Sequence, residues 1–239
     1  MTKFIAFVSG KGGVGKTTST LNVGQALINL GQKVTLLDAN LMTPNLAIHL
    51  GFINPDGTVN KFLRKEKSLP EVIYLHESGL SLIPASPSYN EFQKTNPQQL
   101  TEIFEHLENS TNFVLIDAPS GLGYEVSQIL KNTDEVVIVV NPNLSSVTDA
   151  LKTIQLAKAH NNIISGIILN MTHRGWHEMK PQEIENILGH PIIANIKHDR
   201  KIRKSVHQQM PLNYLYPKSS SAREFKKVAQ QLHFEEKVK

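Results

Sequence analysis

The sequence predicts a doubly wound α/β fold, a mostly parallel sheet with helices on both faces. Three observations predict it. Seven short runs read as strands: Phe4–Ser9, Val34–Asp38, Leu80–Pro84, Phe113–Asp117, Glu135–Asn141, Ile163–Asn170 and Ile192–Ile196. Most are nearly continuous apolar, β-branched stretches, which suits strands buried on both faces. Helical patterns alternate with them, the arrangement that builds βαβ units.

The first strand runs into a glycine-rich loop and then into a helix over Lys16–Leu30. In that helix Val23, Ala26, Leu27 and Leu30 follow the i, i+3, i+4, i+7 spacing of one face, and Gly31 supplies the stop. The stretch Asn54–Asn96 is irregular and rich in Pro and Ser, and reads as surface excursions. Pro97 opens a helix with Leu100, Ile103, Phe104 and Leu107 on one face. Ser145–His160 and Pro181–Leu188 read as further helices, and Ser221–Leu232 carries Phe225, Val228, Ala229 and Leu232 along one stripe. No repeat, low-complexity tract or linker interrupts the chain, so a single domain over 1–239 is expected.

Composition excludes several chemistries. There is no cysteine among the 239 residues. Disulfides, thiolate nucleophiles, Fe–S clusters and Cys-ligated zinc are therefore excluded for this chain. The net charge of +4 is too small to argue for nucleic acid by itself. No window approaches 18 uninterrupted apolar residues, so no membrane span is expected. The start, MTKFIAFVSGKGG, is too short in apolar character for a signal peptide and leads straight into a motif. A cytoplasmic protein is expected, with peripheral association with a nucleoid or membrane surface left open.

The motif is Gly10-Lys11-Gly12-Gly13-Val14-Gly15-Lys16-Thr17-Thr18, which contains G-x-x-x-x-G-K-[ST] between a strand and a helix. Glycines let backbone N–H groups converge on phosphate oxygens without Cβ obstruction. The helix N-terminus adds partial positive charge. Lys16 is suited to reach the β- and γ-phosphates, and the Thr17 hydroxyl to ligate Mg²⁺. Lys11 is a second lysine on the far side of the loop, placed to point away from its own nucleotide. Asp117 ends the strand FVLID, where a buried strand delivers a carboxylate to the Mg²⁺ shell. Gly121 and Gly123 after it suit a mobile loop. Asp38 ends the strand VTLLD and is expected near Thr17 and the metal, through water.

KGGVGKTT resembles the deviant phosphate loop of the ParA/MinD family of ATPases. The similarity continues through VTLLDANL, NLAIHLG, FVLIDAPSGLG, VVNPNLSSVTDA, GIILN and PKSSSAREFKKVAQQL, and is greatest to MinD-type proteins from archaea. The resemblance implies a SIMIBI/MinD-like P-loop NTPase fold and use of ATP and Mg²⁺. It implies a sandwich homodimer with two nucleotides facing each other, in which Lys11 contacts the nucleotide of the opposite subunit. It also implies a spatial regulator that places a division site or cargo, with a protein activator or adaptor. Most relatives read D-x-D where this chain has Asp38 and Asn40. An amide is no general base at neutral pH, but it orients water by hydrogen bonding. Slow hydrolysis is expected. The alternative for Asn40 is a turn residue, with Asn45 or another side chain handling the water.

The resemblance also implies that Asn170 meets the adenine edge and that Pro217 packs near the base. Met171 stands where a basic residue is usual. Asp199 falls in the loop that covers the base, but Lys197 and Arg200 flank it where prolines are common. KHDRKIRKSVH, residues 197–207, is the densest basic stretch. Lys197, Arg200, Lys201, Arg203 and Lys204 are candidates for non-specific DNA binding through counterion release, or else a solvated helix face. The end, HFEEKVK, is short and half acidic, so it supports membrane anchoring poorly. His173 and His177 lack a third ligand nearby and read as a surface loop, with Trp176 an interface or packing residue. A non-hydrolysing module clamped by ATP, or a partition ATPase on DNA, are the alternative functions.

Overall fold

A computed structural model describes residues 1–173, 175 and 177–236. Trp176 therefore lies outside the described residues, as do residues 237–239 of the terminal segment. Eight strands form one sheet: β1 Lys3–Val8, β2 Val34–Asp38, β3 Tyr74–Leu75, β4 Ser81–Ile83, β5 Phe113–Asp117, β6 Glu135–Val140, β7 Ile163–Thr172 and β8 Ile192–Lys197. Their order is β3-β4-β2-β5-β1-β6-β7-β8. Among the described residues only the β3–β4 pair is antiparallel. The longer helices are α1 Lys16–Ile28, α2 Leu100–Leu107, α3 Tyr124–Lys131, α4 Leu144–Ala159, α5 Pro181–Leu188, α6 Arg200–His207 and α7 Ser220–Glu236.

Alternation along each strand feeds two cores. Ile5, Phe7, Leu36, Phe113 and Leu115 share one core with Leu21, Val23 and Leu27 of α1 and Phe225, Val228 and Leu232 of α7. Phe4, Ala6, Val8, Val114 and Ile116 share the other with Ile103 and Leu107 of α2, Ile129 and Leu130 of α3, and Ile154 of α4. Both faces of the central strands are covered, which explains their continuous apolar runs.

The structure adds elements that the sequence reading left out. Residues 54–96 hold three short helices, Val59–Leu63, Leu69–Val72 and Tyr89–Lys94, and β3, which pairs with the expected strand β4. Local polar chemistry stabilises them: the Thr58 hydroxyl accepts from the Lys61 N–H, and Ser68 and Glu71 form a capping box. The helix expected from Pro97 begins with a 3₁₀ turn, Pro97–Gln99, before α2. The last helix runs beyond Leu232 to Glu236, so much of the expected tail is helical. The basic stretch forms α6. Among the described residues no helix is long and apolar enough to cross a membrane.

One ion pair ties β1 to the sheet and to α7. Lys3 Nζ lies 2.7 Å from Glu135 Oε1, with the two side chains 12% and 1% exposed. The same ammonium donates to the Leu232 carbonyl at 3.1 Å, and Ser165 Oγ donates to Glu135 Oε2 at 2.8 Å. Removing the lysine alone leaves a buried carboxylate uncompensated. Lys3→Met is expected to cost about 3–5 kcal/mol in urea unfolding, and Lys3→Met with Glu135→Gln much less.

Candidate functional site

The sheet order reverses around β1, which has β5 on one side and β6 on the other. Open α/β sheets form a crevice at the carboxyl ends of their strands at such a point. The loop from Ser9 to Gly15 sits there, between β1 and α1. Gly15 takes a φ of 96°, and a Cβ on it would lie 2.1 Å from Asn170 Nδ2. Gly10 is backed against α4, where a Cβ would lie 2.5 Å from the Asp149 Cβ. The first turn of α1 has no acidic residue and no side-chain cap, so its amide dipoles stay available to an anion. Gly12, Gly13, Gly15, Lys16, Thr17 and Thr18 line a cleft of about 350 Å³.

Lys16 is nearly buried, and its Nζ donates to Ser9 Oγ at 2.9 Å and Ser120 Oγ at 2.7 Å. Burial pushes its pKa down, and the nearby Asp117 charge pulls it back up. These two hydroxyls hold the lysine over the cleft. The sequence reading did not single out Ser9 or Ser120, although Ser120 follows Asp117 closely in DAPSG.

β2 and β5 pair in register so that Asp38 lies beside Asp117. Thr17 Oγ1 donates to Asp117 Oδ2 at 2.5 Å. Asp117 Oδ1 is buried with no hydrogen-bond partner. Burial pushes the Asp117 carboxyl up to about 6, against the Thr17 hydrogen bond and the Lys16 charge. Asp38 is raised well above the usual range, first by burial and then by the Asp117 charge. Its oxygens accept from the backbone N–H groups of Asn40, Asn45 and Leu46, at 3.2, 3.0 and 3.0 Å. Two buried acids and an unpartnered carboxylate oxygen beside a threonine hydroxyl fit the hard oxygen donors that Mg²⁺ takes.

Asn40 and Asn45 both line the cleft. Asn40 Nδ2 donates to the Thr43 carbonyl at 2.7 Å and to Thr43 Oγ1 at 3.0 Å, while its Oδ1 accepts from Thr43 N–H at 3.3 Å. Asn45 Nδ2 donates to the same carbonyl at 2.9 Å. Position 40 is thus held against Thr43 in this structure.

The ParA family model, described as NUBPL iron-transfer P-loop NTPase, matches residues 1–233. The chain belongs to the ParA family of P-loop NTPases. It is 34% identical over 228 residues to an uncharacterised ATP-binding protein of Methanocaldococcus jannaschii, covering 95% of this chain and 86% of that one. It is similar to the cell division ATPase MinD of Pyrococcus furiosus, with 32% identity, a TM-score of 0.93 and full coverage of both chains. It is also similar to the septum site-determining protein MinD of Pyrococcus horikoshii, solved with Mg-ADP. There the identity is 30% and the TM-score 0.94, covering 100% of this chain and 98% of that one. The mostly parallel sheet with helices on both faces and the family resemblance are thus both as the sequence predicts, and β3 is an eighth strand beyond the seven expected. Cluster ligation by cysteine does not extend to this ParA-family chain, which has no cysteine.

Other expected site residues in this ParA-family chain are more dispersed. Lys11 is exposed, and its Nζ donates to Ser145 Oγ of the same chain at 2.8 Å, at the start of α4. Val14 is buried, and its carbonyl accepts from Asn170 Nδ2 at 2.8 Å. Asn170 thus braces the phosphate loop from the end of β7. Met171 lines the cleft. Pro217 is exposed in the turn before α7. Asp199 caps α6, accepting from Lys201 N–H at 2.8 Å and Ser221 Oγ at 2.9 Å. His173 stacks on His198 at 4.9 Å and bonds Glu178 through its backbone N–H. No metal-ligating cluster of His, Cys, Asp or Glu occurs among the described residues.

Because folding raises the Asp117 pKa, its ionisation opposes folding. That contribution to stability is present below the unfolded value and is lost as pH rises through about 6. Asp117→Asn is therefore expected to stabilise the metal-free protein at pH 8 by about 1–3 kcal/mol, measured by urea unfolding in EDTA.

Proposed function

We propose that this chain is a Mg²⁺-dependent ATPase that works as a nucleotide-gated switch of the MinD/ParA kind, positioning a division site or another cargo. The single observation that carries the reading is the junction of Lys16, Thr17 and Asp117 at the mouth of the sheet, with Asp38 in register beside it. The similarity to MinD proteins supports the nucleotide and the switch class.

Thr17, Asp117 and, through water, Asp38 would hold Mg²⁺, which would neutralise charge developing on the phosphates. Gly10–Thr18 hold the phosphates through backbone N–H groups and the α1 dipole. Lys16 leaves its two serines and places its charge on the β- and γ-oxygens. Asn170 steadies the loop and offers its amide to the base, with Pro217 closing the far side. ADP remains bound at the same loop after the γ-phosphate leaves.

Lys11 gates association. Its contact with Ser145 is an exposed hydrogen bond that water can replace. The lysine is therefore free to leave for the γ-phosphate of a second copy, which makes a homodimer depend on ATP. Turnover is slow because position 40 carries an amide and Thr43 occupies it. The same occupancy favours a second reading, a non-hydrolysing clamp that uses ATP to hold an adaptor or other protein partner.

The basic face supports a platform. Lys197, Arg200, Lys201, Arg203 and Lys204 are all exposed, on or beside α6. We assign them to non-specific DNA backbone, so that the chain works at a nucleoid surface from the cytoplasm.

Light scattering and phosphate release with ATP, with ADP and without nucleotide test the reading. The expected result is a dimer and slow phosphate release with ATP alone, and a monomer for Lys11→Ala that still binds ATP. An ATP dimer that releases no phosphate supports the clamp. Asn40→Asp is expected to raise the single-turnover rate roughly tenfold or more. Removing Lys201 and Lys204 together should lower the salt dependence of DNA binding by about one phosphate contact per lysine.

A further inference from the structure

The end of β7 breaks the alternation that the strand itself sets up. Ile167 and Leu169 join the core that holds α2, α3 and α4, and Ile168 joins the core that holds α1 and α7. Asn170 continues the pattern, since its amide reaches the phosphate loop on the α1 side. A regular Met171 would then point to the opposite face. Instead its Cε lies 3.6 Å from the point that a Cβ on Gly15 would occupy, so the thioether turns to the same loop as Asn170. It lines the cleft together with Gly15, Lys16, Thr17 and Thr18.

Two backbone features produce this turn. Against β8, Asn170 pairs with Ile196 and Thr172 with Lys197, so Met171 is left over as a bulge. Its φ is 58°, in the left-handed region that residues other than glycine rarely adopt. Both flanks are tied down. The Asn170 carbonyl accepts from Asn141 Nδ2 at 3.0 Å, the Thr172 carbonyl accepts from the His198 N–H at 3.0 Å, and Thr172 Oγ1 donates to Asn195 Oδ1 at 2.8 Å. Bulges beside active sites re-aim a side chain, and strain of this kind persists only where the surroundings hold it. The group re-aimed here is a large apolar side chain, left 41% exposed on a cleft otherwise lined by glycine, alanine and polar residues.

We propose that Met171 binds the nucleoside end of the nucleotide, laying its thioether against the face of the base. The inference rests on the nucleotide reading above. A thioether carries no charge and donates no hydrogen bond, so it adds nothing to the hold on phosphate. It gains by covering apolar surface, and its sulfur makes favourable contacts with aromatic rings. The nucleoside is the part of the ligand that offers such surface, and the neighbouring Asn170 is the residue assigned to the base edge. Edge and face are then held by consecutive residues. Only the bulge allows this, since a regular strand sends them to opposite sides. A cation at this position would attract the phosphates as well as the base, whereas a methionine leaves the phosphates to Lys16 and the loop. Nothing in GIILNMT signals the role, because strict alternation places Met171 on the other face.

The test measures binding of Mg-ADP and of Mg-pyrophosphate by calorimetry to the full chain, as wild type, Met171→Ala and Met171→Leu. ADP keeps the comparison on a single subunit, because dimer formation is assigned to ATP. Met171→Ala is expected to weaken ADP roughly five- to tenfold and to leave pyrophosphate unchanged. Met171→Leu, of similar volume, is expected to bind ADP within about twofold of wild type. Equal weakening of both ligands by Met171→Ala would overturn the proposal, since the side chain would then be bracing the phosphate loop. Unchanged ADP affinity in Met171→Ala would overturn it too. Wild type that binds neither ADP nor pyrophosphate would overturn the nucleotide reading itself, and this proposal with it.

Discussion

Two carboxylates forced side by side inside the protein set the terms for everything around them. The register of β2 on β5 puts Asp38 next to Asp117, both buried. Neither position is comfortable for a free anion, and burial raises both pKa values. The protein answers with donors on every side: three backbone N–H groups for Asp38, the Thr17 hydroxyl for Asp117, and the Lys16 charge nearby. One oxygen of Asp117 is still unanswered. A group of acids assembled at that energetic cost makes physical sense as half of a site whose other half is a cation and a polyphosphate.

The sheet delivers this arrangement with little freedom to vary. β1 lies at the centre of the order, so its loop opens at the switch point, between the elements that carry Asp117 and Asn170. The glycines matter where contact is closest: Gly15 against Asn170, and Gly10 against Asp149 of α4. The Asn170–Val14 hydrogen bond then couples β7 to the loop. Contacts from β7 and α4 thus converge on the phosphate loop.

Much of this was legible in the sequence because the strong signals are local. The continuous apolar strands, the α1 face ending at Gly31, and the phosphate loop between strand and helix each depend on neighbouring residues alone. The strand-ending Asp38 and Asp117 were legible for the same reason. What the sequence hid depends on tertiary placement. β3 is two residues long and exists through β4. α6 buries Ser205 and little else, so its charges masked its helical pattern. Ser9 and Ser120 acquire a role only when folding brings them to Lys16. Asn40 carried two meanings in sequence, a water ligand or a turn, and its contacts with Thr43 exist only in the folded chain.

The central claim is that the buried acids and the phosphate loop form one Mg²⁺–nucleotide site. The most direct measurement is the shift in unfolding temperature caused by ATP with Mg²⁺, compared with ATP and EDTA. The account predicts a large shift with the metal and a small one without it, and Asp117→Asn should remove the difference. Equal shifts with and without Mg²⁺, or no shift in either, would contradict it.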